Sequence, residues 1–161
     1  MKLFGQNGVS FSLVIDGYQF PEMADDDRDS DWLFVRGEVR YAGGGWTFRD
    51  PCLTTFELGE LADWLVSISR GKPGAATCSF TEPNLSFEYR SVPQPAVVAR
   101  FAHESAPPWQ SGSERQTGFA LSFDLVLNGL ATAAGDLREC LAMFPERGRD
   151  DGYEPSTPLR H

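Results

Sequence analysis

The chain has 161 residues, with 23 acidic and 14 basic side chains and a formal net charge of -9 at pH 7. This length is typical of one domain with a sizeable core, and no apolar run approaches the roughly 18 residues that a membrane helix needs. Binding to a nucleic acid or an anionic membrane depends on clustered bases, which are scarce here, so a basic protein is the better-matched partner.

Cysteine usage and the first residues bear on the compartment. The three cysteines, Cys52, Cys78 and Cys140, lie far apart and form no paired motif. An odd, sparse set is typical of reduced thiols that pack as small hydrophobes. The first eight residues lack the apolar core of a signal peptide, so we expect a cytoplasmic protein.

Strand patterns come first along the chain. Residues 9–15 begin by alternating apolar and polar side chains, which predicts a half-buried strand, and residues 17–30 have turn and loop chemistry. Residues 32–49 predict a hairpin that turns at three glycines, residues 43–45. Gly37, on the inward face of this hairpin, indicates a bulge or a close approach by another group.

The pattern then changes to that of a helix. Thr54 and Glu57 fit a capping box, which predicts that a helix begins there. Apolar residues recur at helical spacing over residues 58–68, and Gly71 ends the pattern.

The second half of the chain returns to strands and closes with another helix. Four more segments predict strands, at residues 76–81, 85–90, 97–103 and 119–125. Residues 105–118 are rich in Pro, Ser and Gly and predict a loop. Asn128 is a plausible cap for an amphipathic helix over residues 130–144, which Pro145 ends.

This order of elements predicts an α+β fold. We expect a mostly antiparallel β-sheet of about seven strands with two amphipathic helices packed on it. A single domain over residues 1–145 would hold these elements, and residues 146–161, with mixed charge and little hydrophobicity, would form a flexible C-terminal tail.

Motifs of catalysis and cofactor binding are absent from the sequence. His103 is the one histidine within the predicted domain, and no Gly-x-Ser-x-Gly elbow or paired zinc ligands occur. The glycines at residues 43–45 precede a strand pattern and lack the Lys that follows a phosphate-binding loop. We therefore expect no enzyme activity and no cofactor.

A concentrated group of acids is the feature that remains. Residues 22–31 contain six acids and one base, Arg28, for a net charge of -5, which is more than half of the chain's total. The acids are Glu22, Asp25, Asp26, Asp27, Asp29 and Asp31, and Trp32 follows them directly. The segment is either a solvated, self-repelling loop or a docking surface for a basic protein.

Two further readings of this region stay open. Acids on the first helix would extend the docking surface if they face solvent nearby: Glu57, Glu60 and Asp63. The alternating aspartates also resemble a calcium loop, but Ser30 and Arg36 stand where Gly and Glu are required, so we expect no metal site.

The four tryptophans divide into two pairs. Trp32 and Trp109 are either interface anchors or residues that hold their loops to the core. Trp46 and Trp64 are expected in the core.

Several short motifs, in this order, resemble one family, the WapI-like proteins. These small bacterial proteins include the immunity protein for a contact-dependent wall-associated toxin. The motifs are Gly17-Tyr18-Gln19-Phe20-Pro21, Asp31-Trp32-Leu33, Asp50-Pro51-Cys52-Leu53-Thr54, Glu57-Leu58 through Trp64-Leu65, Phe80-Thr81-Glu82-Pro83-Asn84-Leu85-Ser86-Phe87, Pro108-Trp109 and Phe144-Pro145-Glu146-Arg147.

The resemblance implies a cytoplasmic, non-enzymatic protein that binds a toxin domain and blocks it. Toxins of this kind are often nucleases, whose basic clefts an acidic inhibitor can occupy. The family supplies no catalytic residues to carry over, and the acid-rich segment is our own candidate. The alternatives are a binding or regulatory module with no toxin partner, or a metal-dependent hydrolase that uses the aspartates.

Overall fold

Alternating side chains and turn residues produce eight strands in the described part of this computed structural model, residues 1–23 and 28–147. The strands are β1 (Lys2–Phe4), β2 (Ser10–Tyr18), β3 (Trp32–Tyr41), β4 (Gly44–Thr54), β5 (Thr77–Ser79), β6 (Leu85–Arg90), β7 (Ala96–Phe101) and β8 (Phe119–Asp124). The helices are α1 (Thr55–Ser69), α2 (Gly112–Thr117) and α3 (Leu130–Met143).

The predicted α+β class with antiparallel pairing is confirmed. The strands divide into two four-stranded sheets, ordered β1-β2-β3-β4 and β5-β6-β7-β8, and every neighbouring pair is antiparallel. The two predicted amphipathic helices are α1 and α3. The loop predicted over residues 105–118 was partly wrong, because α2 forms within it. β1 was not predicted, because a strand of three residues is too short to show an alternating pattern.

Aromatic rings join the two sheets. Phe11 of β2 is fully buried, and its ring centroid lies 4.9 Å from that of Phe101 and 6.4 Å from that of Phe87 on the second sheet. The sheets therefore face each other across this layer. At Gly37 a Cβ would lie 2.1 Å from the Phe48 ring, so the glycine admits a close approach, as the sequence indicated.

Helices α1 and α3 pack against each other and against the same core. The capping box at Thr54 is confirmed, with the Thr54 hydroxyl accepting from the Glu57 N–H. Leu58, Leu61 and Leu65 are fully buried, as their helical spacing predicted.

Asn128 joins the edges of the two sheets instead of capping α3. The residue before α3 is Gly129, and no side chain caps the helix. The Asn128 amide accepts from the Phe4 N–H and donates to the Phe4 carbonyl, each at 2.7 Å. Asn128 therefore occupies the open edge of β1 as a neighbouring strand would, which explains why the predicted cap was wrong.

Candidate functional site

The acid-rich segment lies in the connection between β2 and β3, which we call the acidic loop (residues 19–31). Its ends meet where the strands pair, because the Gln19 N–H donates to the Trp32 carbonyl at 2.7 Å. Glu22 and Asp29 are exposed on either side of the part that the structure leaves undescribed. Three predicted site residues, Asp25, Asp26 and Asp27, lie outside the described residues.

The last predicted acid of the loop, Asp31, is half-buried and faces the protein with one oxygen. Its Oδ1 accepts from the Thr55 hydroxyl at 3.0 Å and from the Arg147 main-chain N–H at 2.6 Å. The carboxylate thus fastens the loop to the start of α1 and to the chain beyond α3. Trp32, also half-buried, follows as the first residue of β3.

Arg147 is a residue at this site that sequence reasoning missed, because it falls in the predicted tail. Its guanidinium donates to the carbonyls of Phe20, Pro21 and Met23 at 3.3, 3.3 and 2.6 Å. The one available signal was the resemblance of residues 144–147 to a family motif. The rest of the predicted tail, residues 148–161, lies outside the described residues.

The acids predicted to extend the surface along α1 divide into three cases. The expectation that Glu57 faces solvent is wrong. Glu57 is 6% exposed, and its carboxylate accepts from the N–H groups of Thr54 and Thr81 at 2.9 and 2.6 Å. Asp63 is exposed and forms an ion pair with Arg138 at 2.5 Å. Glu60 is exposed on the outer face of the helix.

A second group of carboxylates lies where β4 and the turn before β6 meet. The Asp50 Oδ2 atom accepts from the buried Asn84 side chain at 2.9 Å. Burial raises the pKa of Asp50, the negative charges of Glu104 and Glu82 raise it further, and the Asn84 hydrogen bond opposes them. The charges that act on Asp50 are therefore those of other acids.

The cysteines behave as the sequence predicted. Cys52 and Cys78 are buried and Cys140 is partly buried, and none of the three is in a disulfide. Burial raises the pKa of Cys52 and of Cys78 to about 12, and nearby carboxylates add to the effect. Both thiols are thus protonated and unreactive at neutral pH.

Two tryptophans in the core and one at the surface belong to the aromatic network. Trp46 and Trp64 are buried, as expected. Trp109 is 50% exposed, and its ring lies 5.6 Å from that of Tyr41 and 5.5 Å from that of Trp46. These contacts hold its loop to the core at the end of β3 opposite the acidic loop.

Two properties of the described residues bear on other functions. In residues 1–23 and 28–147, no group of three or more His, Cys, Asp or Glu side chains is placed to hold a metal ion. No helix of the described chain has the length and apolar character to cross a membrane. His103 lies in a 3-10 turn after β7 and is partly exposed.

Comparison with known proteins identifies the family. The model of the immunity protein WapI-like family matches residues 2–145, which include both sheets and all three helices described above. The chain belongs to this family. Neither the curated proteins nor the solved structures contain a match to the chain.

Proposed function

We propose that this protein is an immunity protein that neutralises a toxin by binding directly to the toxic domain. The observation that carries the proposal is the family match over residues 2–145. In this role the protein blocks the toxin by occupying its surface and performs no catalysis of its own. The compartment in which it would act is the cytoplasm, where an incoming toxin meets its target.

The surface that we propose for this contact is the acidic loop. Its candidate residues are Glu22, Asp25, Asp26, Asp27, Asp29, Asp31 and Trp32. Charge supports the choice, because the loop concentrates a net charge of -5 within ten residues. A basic cleft, such as the phosphate-binding cleft of a nuclease, would attract it and bind with a high on-rate. Asp31 and Trp32, which are half-buried, would form the base of the surface.

The proposal is tested by expressing the protein together with the toxin domain encoded next to its gene. We expect growth of the host to be restored and the two purified proteins to form a stable complex. Neutralising five acids of the loop (E22Q, D25N, D26N, D27N and D29N) should lower the association rate about tenfold or more at low salt. The rate should also lose most of its dependence on salt.

Two matched double variants distinguish the effect of the loop's own charges on the association rate from the effect of the protein's overall net charge. Glu22 and Asp29 are exposed in the loop, whereas Glu38 and Glu114 are exposed toward the other end of β3, a strand about 30 Å long. E22Q/D29N and E38Q/E114Q change the net charge equally. The first pair should slow association more than the second. Equal slowing would assign the effect to overall charge, and absence of any complex would support a binding module without a toxin partner.

A further inference from the structure

We propose that Arg147 is a positioning residue that fixes the two described flanks of the acidic loop, and thereby supports the binding of the partner. This inference rests on the proposed function of the loop. It concerns a residue two positions beyond the family match and outside the set of candidate contact residues. The geometry of the described flanks of the loop, residues 19–23 and 28–31, carries it.

Arg147 bonds to both ends of the loop at once. At the first end, its guanidinium donates to three loop carbonyls, those of Phe20, Pro21 and Met23. At the second end, its main-chain N–H donates to Asp31, and the same Asp31 oxygen accepts from Thr55. One residue therefore sets the separation of the two flanks and attaches them to the start of α1.

Neighbouring side chains hold Arg147 itself in place. The guanidinium carbon lies 4.4 Å from the centroid of the Tyr18 ring, a cation–π contact. The Tyr18 hydroxyl donates to the Pro145 carbonyl, and the Tyr18 ring meets the Phe144 ring edge-on at 5.7 Å. The chain after α3 is thus packed against the end of β2, so the arginine reaches the loop from a fixed position.

The chemistry of this site requires arginine rather than positive charge alone. A planar guanidinium presents several N–H donors in fixed directions, so it can serve three carbonyls and stack on a ring together. A lysine ammonium keeps the charge but lacks both the fork and the plane. A loop whose flanks are fixed before binding loses less conformational freedom when it docks, which favours affinity.

The test uses three variants of the full-length protein: R147A, R147K and the control R138A. Arg138 is an exposed arginine of α3 paired with Asp63, so R138A makes the same change in net charge as R147A. Both alanine variants make the protein more negative, so electrostatics alone predicts faster binding to a basic toxin. Loss of positioning predicts that R147A binds about tenfold more weakly, a difference of about 1.4 kcal/mol.

Hydrogen exchange of the free protein reports on the positioning separately from binding. We expect faster exchange at the Met23 and Gln19 amides in R147A and R147K, with R138A and the amides of β7 unchanged. Unchanged exchange at these positions in R147A would refute the positioning role, whatever the toxin does. Faster exchange with toxin affinity equal to that of R138A would refute its importance for binding.

Failure of the proposed function looks different from failure of this inference. If the wild-type protein binds no toxin, the proposed function is wrong and the binding part of the inference falls with it, while the exchange data still decide the contact. If the wild type binds and R147K binds as well as the wild type, the arginine is dispensable and the inference alone is overturned. Thermal unfolding of each variant confirms that all remain folded.

Discussion

Carboxylates on the outer face of the first sheet and carboxylates at the start of α1 meet different partners. Asp16 of β2 lies beside two arginines, with the Nε atoms of Arg36 and Arg49 at 3.1 and 2.9 Å from its oxygens. Glu57, by contrast, accepts hydrogen bonds from main-chain N–H groups and a hydroxyl. The negative charge of Asp16 is thus balanced by positive charge, whereas that of Glu57 is stabilised by neutral hydrogen-bond donors.

The pKa directions follow this division. Burial raises the pKa of Asp16, but hydrogen bonds and positive charge from Arg49 and Arg36 outweigh it and lower the pKa overall. Asp50 lies near α1 among other acids, and its pKa is raised. Arginines of the sheet thus cancel local charge, whereas the loops and the region before α1 retain negative charge. The basic partner that we propose would be attracted where that charge is left.

The largest effect should come from Glu57, because its carboxylate holds the start of α1 to the turn at Thr81. Glu57→Ala removes the carboxylate that accepts from the N–H groups of Thr54 and Thr81. The start of α1 then loses part of its capping box, and the link from α1 to the turn at Thr81 is lost. We expect the free energy of unfolding to fall by about 2–4 kcal/mol, measured by urea denaturation.

Glu60→Ala is the matched control, since Glu60 is exposed three residues along the same helix. We expect it to change the free energy of unfolding by no more than about 0.5 kcal/mol. Because Ala is a better helix former than Glu, propensity cannot account for a loss. Equal losses in the two variants would therefore contradict a special role for the buried Glu57 carboxylate.

The capping box shows which parts of this region the sequence could predict. Thr54 and Glu57 are three residues apart, so their pairing follows from local geometry and is visible as a motif. The contact between Glu57 and the Thr81 amide joins residues 24 positions apart and depends on how the sheets meet α1. For that reason the motif was correct, whereas the expectation of an outward-facing Glu57 was wrong.

The same limit applies to the candidate site. The charge of the acidic loop is a local property and could be read directly from the residues. Arg147 lies 124 positions from Met23, and no periodicity or spacing links the two. The prediction that Asn128 caps α3 failed for a related reason. Its position suits a helix cap, but its amide forms two hydrogen bonds with the edge of β1 instead.

A smaller effect is expected at Asp16, where the arginine partners are about half exposed. Asp16→Asn should lower the free energy of unfolding by about 0.5 kcal/mol at pH 7, since solvent screens such pairs. Because folding lowers the pKa of Asp16 below its ordinary 3.8, the stabilisation is present above that pH and is lost as the pH falls through the folded value. Denaturation curves of wild type and variant should therefore converge in acid, and a gap that persists below that range would contradict the charge pairing.

The smallest effect, opposite in sign, is expected at Asp50. Folding raises its pKa above the ordinary 3.8, so the folded protein binds the proton more tightly, and stability falls as the pH rises through that window. Asp50→Asn removes the charge while its amide oxygen can still accept from Asn84. We expect the free energy of unfolding to rise by about 0.3 kcal/mol at pH 7, with no gain below pH 3.8. The effect is small because solvent weakens the repulsion between the carboxylates.

Glu82→Gln provides a cross-check by NMR titration, because removing that neighbouring charge should lower the pKa of Asp50 while leaving its hydrogen bond in place. If Asp50→Asn were destabilising at pH 7, the carboxylate would be compensated as Asp16 is, and the contrast between the two regions would fail.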